Sequence, residues 1–191
     1  MGAVYEDAKK FAERYIAPDS KETDEKGRFP KEVFKKMGEE GFFKLLIPKE
    51  RGGLGKNIQD HTDVCLAFSE GGATHGLCYM MHNVALMCVL TYGSEELKEK
   101  ICKDVIENER FLALAYSEFG TGTHFYIPEI KISVNGDKVT FNGVKSMVTS
   151  AEYASYYLVL APSEREGINN WVFPFETEGL SFQTSLWDGL G

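Results

Sequence analysis

The sequence predicts an α+β protein, with an all-helical N-terminal domain followed by an antiparallel β domain of barrel or sandwich-like type. Two features carry that prediction. Up to about residue 112 the apolar residues recur at helical spacing, and beyond it they alternate with polar ones. Within the helical part, the run Gly76 to Leu90, GLCYMMHNVALMCVL, is apolar nearly all round, as expected of a helix buried inside a core rather than lying on one. The domains predicted are 1–112 and 113–191.

The elements follow in order. Val4, Ala8, Phe11, Ala12, Tyr15 and Ile16 fall on one helical face, and Pro18 is expected to end that helix. A second helix starts at Pro30, carries Val33, Phe34 and Met37 inward and stops at Gly41. LLIPKERGGLG reads as a loop. Asn57, with Asp60 three residues on, is the expected N-cap of a helix that buries Val64, Cys65 and Phe68 before Gly71-Gly72. The central apolar run comes next, with protein expected on every side of it. A membrane span is the rival reading of that run, but it is shorter than the roughly 20 apolar residues a bilayer needs and holds His82 and Asn83. Ser94 caps a last helix whose first turn carries Glu95 and Glu96, favourable at the positive end of the helix dipole.

In the second half, EIKISV and KVTFNG flank Asn135-Gly136, a hairpin turn signal. YYLVLA, WVFPFE and LSFQTS read as further strands, with Trp171 and Trp187 packing the β domain.

Composition narrows the function classes. A chain that is 43% hydrophobic buries a sizeable core. With 21 basic and 29 acidic residues its net charge is -8, which argues against a nucleic-acid partner. Cys65, Cys78, Cys88 and Cys102 form no C-x-x-C pair and read as reduced core residues of a cytoplasmic protein. The N-terminus lacks the apolar segment of a secretory signal. His75 and His82 share a helical face without a third ligand at useful spacing, so neither is assigned to a metal.

One stretch concentrates hydrogen-bonding groups on a permissive backbone: SEFGTGTH, residues 117–124, directly after the apolar run FLALAY. The order of YGSEELKEKI, FLALAYSEFGTGT and VTFNGVKSMVTSAEYASYYLVLA resembles the acyl-CoA dehydrogenases, and FPKEVFKKMGEEGFFKLLIPKERGGLG resembles that family's N-terminal helices and following loop. The resemblance implies an FAD-dependent enzyme that dehydrogenates an acyl-CoA thioester. Its expected partners are the acyl-CoA substrate and an electron-transfer flavoprotein, with assembly into a homo-oligomer when complete.

By position, the resemblance implies that Ser117 contacts the isoalloxazine ring, that Thr123 reaches the ribityl or pyrophosphate part, and that Tyr116 lends its backbone. Gly122 lets the backbone turn with positive φ or approach a ligand closely. In NGVKSMVTSA, Thr149 keeps the hydroxyl that the family places near flavin N5, while Met147 stands where tryptophan is usual. Phe119 and His124 also depart from the family pattern, which has proline and aspartate there. Such fixed donors serve a flavin because they stabilise the negative charge that develops on the reduced ring without having to reorganise. The plainer readings are a strand-to-loop turn for 117–124 and a strand residue for Thr149. Glu118 as a general acid or base is a further alternative.

The resemblance also implies a catalytic base beyond Gly191, in a C-terminal helical bundle that this chain lacks, so no catalytic residue is assigned within it. The expectation is a fragment of a longer enzyme, inactive alone and holding FAD weakly. A non-catalytic acyl-CoA or protein-binding module, and an acyl-CoA oxidase or flavin monooxygenase of the same fold, are the competing readings. The apolar run generates one stability prediction. Leu86→Asp should cost several kcal/mol by placing a charge in the core, and urea unfolding that matches the unaltered chain would show that the helix is exposed there.

Overall fold

Helical backbone runs from Ala3 to Lys26 without the break expected at Pro18 in the computed structural model, which describes residues 2–183. Helix α1 (Ala3–Phe11) passes into a π-helical stretch, Ala12–Ile16, and then into α2 (Ala17–Lys26). A proline inside a continuous α-helix removes an N–H and collides with the carbonyl four residues back. The wider π turn loosens the ladder just ahead of Pro18, which then occupies the first turn of α2, where the missing N–H matters least. Of the predicted face, Ala8, Phe11, Ala12 and Ile16 are buried and Val4 and Tyr15 half-buried, and Tyr5, which is not on it, is buried as well.

Helix α3 (Lys31–Glu39) begins one residue after Pro30 and buries Val33, Phe34 and Met37. Gly41, at φ 82, takes the left-handed conformation that turns the chain away. The predicted loop contains a 3₁₀ turn at Lys49–Arg51. Helix α4 (Ile58–Gly71) opens on a full capping box: Asn57 Oδ1 accepts from the N–H of Gln59 (2.8 Å) and Asp60 (3.1 Å), and Asp60 Oδ2 accepts from the Asn57 N–H (3.1 Å). Helix α5 (Ala73–Tyr92) is followed by α6 (Glu95–Asn108), whose cap is the Ser94 hydroxyl accepting from the Leu97 N–H at 3.2 Å.

Helix α5 is the longest element, and it packs on α2, α4 and α6. Its length and composition suffice to cross a membrane, yet 56% of its most apolar window is buried within the protein. Its polar residues explain where it sits. His75, His82 and Asn83 are fully buried, and the two histidines serve different partners: His75 Nε2 donates to Asp19 of α2 (3.0 Å), His82 Nε2 to the Phe43 carbonyl (3.1 Å). Tyr79 donates to the neighbouring Phe42 carbonyl at 3.1 Å. Phe11, Phe42, Phe68 and Tyr79 meet edge to face or tilted around this point, and Phe34, Phe43 and Phe111 extend the cluster.

The expectation of protein on every side of α5 does not hold. Val84 and Met87 are 40% and 38% exposed, while Leu77, Met80, Met81 and Cys88 are half-buried. The helices α2, α4 and α6 cover only part of the circumference, so an apolar stripe of α5 faces outward. Cys65 and Cys88 are likewise half-buried, and all four cysteines are free thiols. Burial pushes the Cys65 thiol up to about 11, which makes it unreactive.

The helical unit ends at Phe111, and a second compact unit spans Leu112 to Phe182. Its three-stranded sheet has the order β1 (Leu112–Ala115), β4 (Tyr156–Pro162), β5 (Ile168–Pro174). A hairpin of β2 (Lys131–Asn135) and β3 (Lys138–Asn142) lies between β1 and β4 in the chain. The expected antiparallel pairing is found for β2–β3 and β4–β5, but β1 and β4 are parallel, with Leu112 opposite Tyr156 and Ala115 opposite Val159. The long connection from 116 to 155 allows a crossover, which a parallel pair requires. The described strands do not close a barrel. The hairpin turns at Gly136-Asp137, one residue later than read from the sequence, with Gly136 at φ 60. Phe141 of β3 packs edge-on against Trp171 and Phe173 of β5, joining hairpin and sheet. Of the predicted strand LSFQTS, residues 180–183 are not strand, and the rest, like Trp187, lies outside the described residues.

Burial lowers the His82 pKa to about 4, against the opposing effect of its bond to Phe43. A group whose folded pKa lies below its unfolded value near 6.5 contributes stability that is complete above pH 6.5 and is lost as the pH falls toward 4. Its contribution is on the order of 3 kcal/mol. His82→Gln, which keeps a donor for Phe43 and cannot titrate, should therefore show a shallower fall in urea midpoint between pH 7 and pH 4.5. A slope equal to that of the unaltered chain would mean that His82 is not buried in its neutral form.

Candidate functional site

The segment after β1 and the segment after β3 hold all six predicted contact residues, and one buried ion pair joins them. Glu118 and Lys145 have side chains 2% and 9% exposed, and Lys145 Nζ donates to Glu118 Oε1 at 2.6 Å. The same ammonium donates to the Tyr116 carbonyl at 3.3 Å. Glu118 also accepts from the amide N–H groups of Glu129 and Ile130, the latter at 3.3 Å. Beside this pair, the Ser146 N–H donates to the Ser117 carbonyl at 2.8 Å. Three stretches, 116–118, 129–130 and 145–146, thus converge on one carboxylate and one ammonium.

Burial pushes the Glu118 carboxyl up, but Lys145 and the two amide N–H groups outweigh it and hold the pKa below the ordinary value. A carboxylate so committed cannot take up a proton near neutral pH, so the arrangement disfavours Glu118 as a general base. Lys145 was legible in the sequence only as part of the NGVK stretch. Its role depends on Glu118, 27 residues away, and no local pattern announces that.

The predicted residues lie as follows. Tyr116 directs its hydroxyl to Asn170 Oδ1 of β5 at 2.6 Å, leaving the backbone to the Lys145 contact. Ser117 is exposed, next to Ser146. Gly122 and Thr123 sit at the surface of a multiple turn closed by His124 N–H to Thr121 C=O and Ile127 N–H to His124 C=O, both 2.8 Å. Gly122 is left-handed at φ 52, and a Cβ there would meet nothing within 4 Å. Met147 is 61% exposed. Thr149 is half-buried in a turn rather than in a strand. The pair and the Ser146 bond bring Ser117 beside the stretch leading to Met147 and Thr149, whereas Thr123 stands apart on its own turn.

Two further features mark the 147–150 turn. Met147 and Ser150 adopt φ of 54 and 65, sparsely populated by residues with a side chain and costing of order 1–3 kcal/mol each. The Ser150 hydroxyl is buried and finds no partner among the described residues. Around the site, Phe119, Phe125, Tyr126 and Val144 are also exposed, Phe119 by 81%. Exposed apolar side chains beside strained backbone and hydroxyls make a surface suited to a flat, amphipathic ligand rather than to a small polar one. Among the described residues no cluster of metal-ligating side chains occurs.

Residues 2–109 match the acyl-CoA dehydrogenase N-terminal domain and residues 113–191 the acyl-CoA dehydrogenase middle domain. A 3-(aryl)acrylate reductase of Clostridium sporogenes is 32% identical over 180 residues, 92% of this chain and 48% of that protein. A solved structure described as the electron transferring flavoprotein of Acidaminococcus fermentans superposes with a TM-score of 0.87 at 26% identity, covering 95% of this chain and 49% of that one. An acyl-CoA dehydrogenase of Bacillus anthracis complexed with FAD shares the fold at a TM-score of 0.85 and 22% identity, covering 96% of this chain and 32% of that one. The chain thus spans about half the length of the relative it matches along most of its own length.

The convergence at Glu118 requires a close backbone approach. A Cβ on Gly143, two residues before Lys145, would lie 2.8 Å from Ile130 Cα, a backbone atom that cannot swing aside. Gly143→Ala should therefore destabilise the second unit by about 1–3 kcal/mol. A denaturation curve superimposable on that of the unaltered chain would show that the two strand ends are free to separate.

Proposed function

The chain belongs to the acyl-CoA dehydrogenase family, and from that premise we propose that it carries the flavin-facing wall of an FAD-dependent oxidoreductase acting on an acyl-CoA thioester. The observation that supports this reading most directly is the joining of 116–118 to 145–149, which sets Ser117 beside the turn that bears Met147 and Thr149. FAD, when bound, supplies a two-electron acceptor at N5 for the hydride leaving the substrate β carbon as the α proton goes to a base.

The residues present fit such a group on local grounds. Gly122, exposed and left-handed at φ 52, leaves its backbone open to approach, and the Met147–Ser150 turn holds strain of the kind that collects at ligand sites. Met147 offers a polarisable, exposed face on which a ring can lie. Ser117 and Thr149 supply hydroxyl donors, held in place by backbone that the Glu118–Lys145 pair fixes. In this reading Thr123, on its separate turn, serves a more distant part of the cofactor. No base is assigned among the described residues.

We take acyl-CoA as substrate, an electron-transfer flavoprotein as electron partner and a homo-oligomer as the working state, all from the family. The reduced cysteines fit a cytoplasmic setting. The similarity to a 3-(aryl)acrylate reductase favours one second reading, in which the same site runs the reaction backwards and delivers hydride to an α,β-unsaturated acyl group.

Titration with FAD, followed by flavin fluorescence and the visible spectrum, tests the proposal. The expected result is saturable binding that does not survive gel filtration, since the described residues supply one wall and tight binding needs most of the ligand surface covered. Thr149→Val should keep the far-ultraviolet circular dichroism and weaken binding by roughly the tenfold that about 1.4 kcal/mol represents. An unchanged flavin signal at millimolar FAD would rule out the cofactor site, and equal affinity in the variant would return Thr149 to a turn residue.

A further inference from the structure

We propose that Glu118 and Lys145 are positioning residues for the cofactor: their buried pair sets the separation between the Ser117 backbone and the Met147–Thr149 turn, and thereby decides whether both can meet one ligand. The inference rests on the flavin reading above and goes beyond it, because neither side chain is itself proposed to touch the cofactor.

Geometry alone distinguishes this pair from an ordinary surface ion pair. Of the lysine and arginine ion pairs described, most join residues three or four apart on an exposed helix, such as Lys26–Glu22 and Lys100–Asp104, and these add little. Glu118–Lys145 joins residues 27 apart with both side chains nearly inaccessible. Removing two such charges from water is costly, and the cost is offset here by good geometry and by added hydrogen bonds. Glu118 Oε1 takes Lys145 and the Ile130 N–H, while Oε2 takes the Glu129 N–H. Lys145 spends a second donor on the Tyr116 carbonyl. Each of these bonds ends on a residue one or two positions from a proposed contact or from the hairpin that supports it.

A satisfied apolar contact at this point would hold the unit together equally well, but it would not fix a spacing. Ion-pair hydrogen bonds have a narrow optimum in length and direction. A ligand lying across Ser117 and Thr149 needs that spacing kept to a fraction of an ångström, the tolerance that preorganised sites generally show.

The test separates positioning from stability. Lys145→Met alone leaves a buried unpaired carboxylate, so the informative variant is Glu118→Gln combined with Lys145→Met, in which the amide oxygen still accepts one of the two backbone N–H groups and no charge is stranded. FAD titration of this variant is expected to show affinity reduced at least roughly tenfold, with circular dichroism unchanged. Glu118→Asp keeps both charges and shortens the arm by one methylene; it should weaken FAD to a similar degree, and it carries the test if the double variant does not fold. Val172→Ala, on β5 and outside the site, serves as a control of lowered stability and should bind FAD as the unaltered chain does. If the unaltered chain binds FAD and a folded pair variant binds it equally, the pair is structural only and this inference is wrong while the flavin reading stands. Equal loss in the Val172 control would also overturn it. Absence of binding by the unaltered chain removes both the flavin reading and this inference.

Discussion

The second unit depends on a carboxylate and an ammonium that are almost wholly shielded from water. Glu118 and Lys145 pull together the stretches 116–118, 129–130 and 145–146, which lie just outside the ladders joining β1 to β4 and β2 to β3. Isolated, either charge would be too costly to bury; together, with amide N–H groups on the free lone pairs, they hold irregular backbone that hydrogen-bonded strands cannot reach. The surface carrying exposed Ser117 and Met147 and half-buried Thr149 is irregular for the same reason. Backbone of that kind adopts positive φ at Met147 and Ser150 only where its surroundings over-determine it.

The helical unit uses polar groups differently. Helix α5 has no charged residue, and its register is set by neutral donors meeting backbone carbonyls and one carboxylate: Tyr79 to Phe42, His82 to Phe43, His75 to Asp19. Apolar contact has no direction of its own, so these hydrogen bonds add directional constraints to the packing of α5. The hydrogen bonds give the aromatic cluster around Phe43 and Phe68 a single arrangement. Asp19 is in turn bound by Arg28 and Thr23, so the π-helical junction before α2 is held from the far side.

Local signals were reliable where a residue answers to its immediate neighbours. The Asn57–Asp60 capping box and the Ser94 cap form as read, because each needs only three residues of context. Pro18 shows the limit of that logic. Its rule is a statement about a regular α-helix, and the chain keeps the helical path by changing the turn at Ala12–Ile16 while Phe11 and Ile16 stay in the core. The parallel pairing of β1 with β4 is a limit of another sort, since the alternation of apolar residues in a strand carries no information about the direction of its partner.

By itself, the sequence determined most of the succession of helices and strands, the absence of charged side chains along α5, and the concentration of hydroxyls and glycines in SEFGTGTH, which with NGVKSMVTSA carries the family resemblance. These are properties of residue order and local chemistry. Only the tertiary structure decided that Glu118 is a bound anchor rather than a free acid, that Lys145 is its partner, that Thr149 lies in a turn, and that one stripe of α5 faces outward. Each of these depends on contacts between residues tens of positions apart, and whether a charge is buried beside its opposite or a helix face is left uncovered is a fact about packing that no local spacing encodes.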